Sequence, residues 1–379
     1  MNKKSKDNSD LPEFTFPVSM YYLMKILNKT KLTTTWLGNF ESSCMRKKIR
    51  KKAFDDPIYV VGLARAGTTV TVEMISEHPD VAVHRHMHLI DPFMPQILHN
   101  IAKMLPFIFK KKVERVHRDG LAINRDSPEA VEEMIWLRFF KDLHDETKSF
   151  LKDEQTSNPK FEKFYTESIK KLMISQKCSR YVAKNNYNIT RMKYLQKLFP
   201  KCKFILVVRH PINHVASYIK QEKLFLEIEV NNKKIRDWIT IVGHEEFGSN
   251  KIFINLNSQE KIDKINQLLE NQETFVRGYA YYWNTIYSYV TNLLKENEDL
   301  AEKTLIVKFE DLTDNSSETI DKIMAHLELD QDKAVEMKEH YIKKLHQPKY
   351  YKPSFSDEEL KAIKEETSET AKIFGYYKN

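Results

Sequence analysis

Three stretches of this chain combine residue types and spacings that suit chemistry on an anion. The first is Gly62-Leu63-Ala64-Arg65-Ala66-Gly67-Thr68-Thr69, which follows the apolar run Ile58–Gly62 and leads into a helical pattern over Thr68–Glu77. Its glycines have the G-x4-G spacing of a loop whose backbone N–H groups can wrap an oxyanion at a helix N-terminus. Thr68 stands where a nucleoside triphosphatase needs a lysine for the β/γ-phosphates, and Arg65 lies inside the loop. That exchange disfavours ATP hydrolysis and suits a ligand with a smaller terminal anion and no metal. The chain has only 8 glycines, so two in this arrangement, followed by paired threonines, argue against an accidental tight turn.

The second stretch is Lys203–Tyr218, KFILVVRHPINHVASY. An apolar strand ends in Arg209, Pro211 opens a helix, and Ser217 follows on that helix. An arginine fork with a hydroxyl suits a phosphate monoester; the plainer reading is an exposed arginine and a helix-surface serine. The third is Val83-His84-Arg85-His86-Met87-His88. If the strand continues through it, the period of two puts His84, His86 and His88 on one face. Such a face could hold zinc, although no carboxylate to orient the imidazoles is obvious in the sequence. One of the three could instead be a general base, since imidazole ordinarily titrates near neutrality. Each could also be an ordinary hydrogen-bonded histidine. Lys184 ends a further predicted strand and could place a cation beside a reacting group, or be a solvated lysine.

Positioning these groups falls to alternating elements. Strands are predicted at Ile58–Gly62, Val81–Val83, Arg180–Ala183, Lys203–Val208 and Thr304–Lys308. Helices are expected at Met20–Leu37, Thr68–Glu77, Ser127–His144, Phe161–Gln176, Ile189–Phe199 and Ile212–Lys223, with one long helix over about Lys264–Glu296 and three more after the last strand. The alternation predicts an α/β protein with a central, mainly parallel sheet flanked by helices. Residues 1–15 read as disordered, and 16–379 as a single domain. The aromatic row Tyr279, Tyr281, Tyr282, Trp283 and Tyr287 reads as core rather than a ligand box, and the basic run at 45–52 as a solvated face.

Composition bounds the partners. With 379 residues, 41% hydrophobic and a net charge of +8, the chain can bury a large core and suits anionic ligands. No nucleic-acid signature accompanies the charge. The three cysteines, Cys44, Cys178 and Cys202, form neither a disulfide framework nor a zinc pattern and fit a reducing compartment. No signal peptide or membrane-length apolar run is evident, so a cytoplasmic protein is expected.

The segment YVVGLARAGTTVTVEMISEHPDV resembles the 5′-phosphosulfate loop of sulfotransferases that use 3′-phosphoadenosine 5′-phosphosulfate (PAPS), usually a strand, PRSGTT and a helix. Here Ala64 and Ala66 replace the usual proline and serine. The resemblance implies that Arg65, Ala66, Gly67, Thr68 and Thr69 hold the 5′ end. KFILVVRHPINHVASY is similar to the family's 3′-phosphate motif, which implies that role for Arg209 and Ser217. The stretches around Arg180–Pro200 and Thr304–Leu329, and the terminal IFGYY, also resemble the family; together the likeness covers roughly 57–90, 180–220 and 304–375. Against the protein-tyrosine sulfotransferase branch, His86 falls where a catalytic glutamate is usual, and Arg85 on an acidic position. His86 is therefore the first candidate base, with His84 or His88 next and zinc last. Lys184 matches a lysine used on the transferring sulfuryl group, and Lys349 with Lys352 would close over the nucleotide. The implied reaction is in-line transfer to a hydroxyl or amine, without a metal. A nucleotide kinase or a non-catalytic nucleotide-binding protein of the same fold are the rivals. The acceptor, whether carbohydrate, phenol, peptide, lipid or small metabolite, is not spelled out; segments 90–180 and 224–262 are expected to shape its side.

Overall fold

The computed structural model describes residues 18–54, 56–105, 112–118, 122–345 and 353–377. Residues 1–15, expected to be disordered, lie outside the described residues, as do Lys349 and Lys352. The elements run α1 (Val18–Lys29), α2 (Lys31–Cys44), α3 (Arg46–Lys51), β1 (Ile58–Val61), α4 (Thr68–Ser76), β2 (Val81–Val83), α5 (Pro95–Met104), β3 (Val113–Glu114), β4 (Ala122–Ile123), α6 (Glu132–Phe139) and α7 (Pro159–Gln176). They continue with β5 (Arg180–Lys184), α8 (Met192–Leu198), β6 (Lys203–Val208), α9 (Pro211–Asn231), α10 (Lys233–Val242), α11 (Gln259–Glu270), α12 (Phe275–Glu296) and α13 (Glu298–Glu302). The last are β7 (Thr304–Lys308), α14 (Phe309–Asp314), α15 (Ser316–His326), α16 (Val335–Lys344) and α17 (Asp357–Ile373).

Five strands make one sheet in the order β2-β5-β1-β6-β7, every pairing parallel. Parallel strands are usually buried on both faces, which explains the unbroken apolar runs of β1 and β6, whereas β7 lies at the edge with Ile306 exposed. Successive residues alternate between two cores. Tyr59 and Val61 with Phe204, Leu206 and Val208 pack on one side. Ile58 and Val60 with Ile205 and Val207 pack on the other, against α4, α15 and α16. The expected α/β architecture is therefore present, and β6 and β7 fall on the residues the sequence predicts. Most of the aromatic row is core: Tyr279, Tyr282, Trp283 and Tyr287 are buried on α12.

The helix expected over Met20–Leu37 is α1 and α2, and among the described residues four helices, α14 to α17, follow the last strand where three were expected. Three further expectations needed correction. The long helix over Lys264–Glu296 is two helices, α11 and α12. Residues 271–274 separate them, where Asn271 Oδ1 accepts the Glu273 N–H at 2.9 Å and Thr274 Oγ1 donates to Leu268 O at 2.8 Å. These local bonds compete with the helical ladder and end it. The helix expected over Ser127–His144 is reduced to α6, because 124–129 instead pairs with the chain after β2. The third concerns the histidines and is taken up with the site. Among the described residues, no helix is long and apolar enough to cross a membrane.

Candidate active site

The carboxyl ends of β1 and β6 are adjacent, with Val61 in register with Leu206. Each feeds a helix, and the loop after β1 is held from three sides. Gly62 has φ +146 and an added Cβ would lie 2.5 Å from the Val207 carbonyl oxygen. Tyr287 accepts the Leu63 N–H at 3.3 Å and donates to that same Val207 carbonyl at 3.1 Å. His214 Nε2 lies 2.8 Å from Ala64 O. Burial lowers the His214 pKa to about 3, so the ring is neutral near pH 7 and Nε2–H is the donor. Arg65 takes the left-handed conformation at φ 72, and Gly67 caps α4 at φ 107.

The amides of Gly67, Thr68 and Thr69 lie at the start of α4, where the helix itself has no carbonyl to offer them. The partial positive charge of the helix start adds to their pull on an anion. A Cβ on Gly67 would sit 2.4 Å from Phe309 Cδ2, so only glycine leaves this cradle open. The Ala66 N–H is already donated to Leu63 O at 3.1 Å and its methyl is buried; Ala66 shapes the loop.

Arg209 and Ser217 come to the same loop from β6 and α9. Arg65 Nε donates to Ser217 Oγ at 3.3 Å, and Arg209 Nη1 donates to Arg65 O at 3.3 Å. The Arg209 guanidinium also lies over Phe309, 4.8 Å from the ring centroid. The next residue after Phe309 closes the arrangement: Glu310 accepts the His210 N–H at 3.1 Å and the Tyr376 hydroxyl at 2.9 Å. The late Glu-Asp-Leu turn and the terminal tyrosine thus meet the loop after β6.

Arg65, Thr68 and Thr69 also line a cavity of about 380 Å³, together with His86, Glu129, Lys184 and Asn186. Neither Arg209 nor Ser217 lines it, so Arg65 is the link between the two parts. Lys184 ends β5 in register with Val60 of β1. Burial lowers its pKa, with Arg115 and Arg65 adding to the effect and Glu246 and Glu129 opposing it.

The three histidines do not share a face. The strand stops at Val83, and His86–Leu89 turns into a short 3-10 helix. His88 enforces the turn, because its Nδ1 accepts the Arg85 N–H at 2.9 Å while its own N–H donates to Arg85 O at 2.8 Å. His84 and His88 are buried, their rings 5.2 Å apart edge to face. Burial lowers His84 to about 3 and holds His88 well below its ordinary value. Only His86 of the three lines the cavity.

His86 has a partner the sequence did not reveal. Its Nε2 lies 2.8 Å from Glu129 Oε2. A backbone ladder aligns the pair: His86 N–H donates to Ser127 O at 2.9 Å and Glu129 N–H to His84 O at 2.9 Å. Burial alone would raise the Glu129 pKa, but His86, His244 and Lys184 together hold it well below the usual carboxylate range. Asn186 and Glu246 were also missed; Asn186 Nδ2 donates to Glu246 Oε1 at 2.6 Å at the cavity wall. His214 carried a usable signal, being three residues before Ser217 on the helix that Pro211 opens. Glu129 carried none, since its position depends on pairing between two irregular segments.

The sulfotransferase family profile matches residues 57–238. No curated protein matches the sequence significantly. Among solved structures, a sulfotransferase from Mycobacterium avium superposes with a TM-score of 0.52 at 11% identity, covering 89% of this chain and 82% of that one. One from Mycobacterium tuberculosis gives 0.50 at 12% identity, covering 93% and 87%. These superpositions speak for the fold, and the profile speaks for the family. Residues 57–238, which carry β1, β5 and β6 and the cavity's Arg65, His86, Glu129 and Lys184, are the part of the chain that matches the sulfotransferase family.

Proposed function

We propose that the protein transfers a sulfuryl group from PAPS to a hydroxyl or amine acceptor. The observation that carries this reading is the meeting of two anion grips at Arg65, with His86 and Lys184 lining the cavity that Arg65 also enters. PAPS would supply the sulfuryl group and leave as a nucleotide phosphate. The residues present fit it: the Gly67 cradle and the amides of Gly67, Thr68 and Thr69 suit its 5′ end, and the Arg209 fork with Ser217 suits its 3′-phosphate. The sequence resemblance assigns the same roles, and adds Lys349 over the nucleotide.

The acceptor's proton needs a base. Glu129 is the weaker choice, because a carboxylate held well below its usual range is a poor base near neutrality. His86 is the better one. Glu129 occupies its Nε2, which leaves Nδ1 to take the proton and orients the ring for it. Lys184 and Arg65 would stabilise the charge that grows on the transferring group and its leaving oxygen. Thr68 in the lysine position disfavours the rival kinase reading.

Adenosine 3′,5′-bisphosphate tests the donor site directly. It should raise the melting temperature, by the equivalent of about 2.7 kcal/mol at a hundredfold excess over Kd, and Arg209→Ala should largely abolish the shift. Transfer of label from PAPS should proceed with EDTA present. No melting shift at millimolar bisphosphate overturns the PAPS assignment, and transfer of phosphate from ATP requiring magnesium would favour the kinase.

A further inference from the structure

Resting on that transfer reading, we infer that the acceptor is an amphiphilic alcohol whose body is hydrocarbon, as opposed to a sugar or a peptide. The exposed wall of the cavity is predominantly apolar. Arg65, which follows β1, and Lys184, which ends β5, line it with His86 and Glu129, and so do Leu89, Ile101, Val116, Phe225, Trp238 and Phe247. Its volume, about 380 Å³, is in the range that encloses most of a small organic molecule. A sugar would need hydrogen-bond partners along its whole body, and a wall of this kind would leave its hydroxyls unpaired at substantial cost. A hydrocarbon body loses nothing there.

The cavity also opens onto more apolar surface. Ile101 and Leu105 of the α5 region line the cavity and are nevertheless 46% and 47% exposed, and Met104 beside them is 78% exposed. On the other side Met24 of α1 lines the cavity, while Tyr22, Leu23 and Ile26 on the same helix are exposed. A chain longer than the cavity therefore leaves over an apolar rim. Several of the other polar lining residues are already bonded within the protein. Arg125, for example, is held by a bond from Nη1 to Leu105 O at 2.7 Å, and His244 by a contact of Nε2 with Ala130 O at 2.6 Å.

Linear primary alcohols from hexanol to decanol, glucose and a tyrosine-containing peptide, each with labelled PAPS, provide the test. The value of kcat/KM should rise about fourfold per added methylene until the chain reaches the rim, with glucose and the peptide far below decanol. A flat series, or glucose or the peptide equalling decanol, overturns the inference. Binding separates it from the transfer reading. Decanol should bind without PAPS in a calorimetric titration, and Ala102→Trp, which fills the cavity from α5, should weaken that binding at least tenfold while the adenosine 3′,5′-bisphosphate melting shift persists. Decanol binding sensitive to Ala102→Trp, without label transfer to any acceptor, would support the apolar site and sink the transfer chemistry. Label transfer to glucose or the peptide, with no decanol binding, would do the reverse.

Discussion

The loop end of the site and the cavity end are built by different means. At the loop end, consecutive residues between β1 and α4 do the work, and bonds from Tyr287, His214 and the neighbouring strand fix their backbone. At the cavity end, His86, Glu129, Lys184 and the apolar walls come from segments far apart in the chain, several of them irregular. Backbone amides held by a sheet tolerate little change of their backbone, and least of all the replacement of a glycine that keeps the loop open. Side chains on loops can be exchanged one at a time. The loop end should therefore fail abruptly under mutation and the cavity end by degrees.

The largest effect is expected at Gly67. Gly67→Ala places a Cβ against Phe309 at a backbone angle that costs of order 1–3 kcal/mol for an L-residue. Binding of adenosine 3′,5′-bisphosphate should fall by at least a hundredfold in a calorimetric titration, with transfer lost. Retained affinity would show that the loop is less rigid than its bonds suggest. A middle-sized effect is expected at Glu129. Glu129→Gln should reduce kcat about tenfold and leave KM for PAPS unchanged, with partial recovery in Glu129→Asp. A change confined to KM, or no recovery, would mean that Glu129 does not orient His86.

The smallest effect on transfer is expected just behind the cavity wall, where His144 lies between Glu133 (3.0 Å) and Glu245 (2.7 Å). Burial opposes its charge, but the two carboxylates outweigh burial and push its pKa up to about 9. A raised folded-state pKa stabilises fully below the unfolded value, about 6.5, and the contribution is lost as pH rises through about 9. The protein should thus lose up to a few kcal/mol of stability between pH 7 and 10. In His144→Gln that part of the slope should vanish while kcat at pH 7 changes little. An unchanged melting profile in the variant would show that the imidazole is not charged in the fold.

What the sequence revealed follows the same division. Strand β6 was legible end for end because a strand buried on both faces is a continuous apolar run, and β7, an edge strand with Ile306 exposed, because Leu305, Ile306 and Val307 still make one. The Gly62–Thr69 loop, Arg209 and Ser217 were legible because a strand, a turn and a helix start are local events. His86 was singled out by resemblance, but the strand geometry offered for it was wrong, since a side chain-to-backbone bond at His88 ends the extended chain. Glu129 was invisible, because nothing local to residue 129 encodes the ladder that brings it to His86. The break between α11 and α12 was missed because the apolar period runs on across it, and only the bonds of Asn271 and Thr274 stop the helix.

The register of β1 with β6 carries one more consequence. Val61 pairs with Leu206, and no residue other than glycine fits at 62 against the Val207 carbonyl. Neighbouring strands in a sheet stand about 4.8 Å apart, so the sheet works as a caliper whose jaws are the two loops that follow these strands. On the proposed reading, such a gauge would measure the gap between two anionic groups and be indifferent to what lies between them. Compounds that keep two phosphates at that separation should compete with one another whatever base they carry, whereas moving a phosphate from the 3′ to the 2′ position should be felt at once.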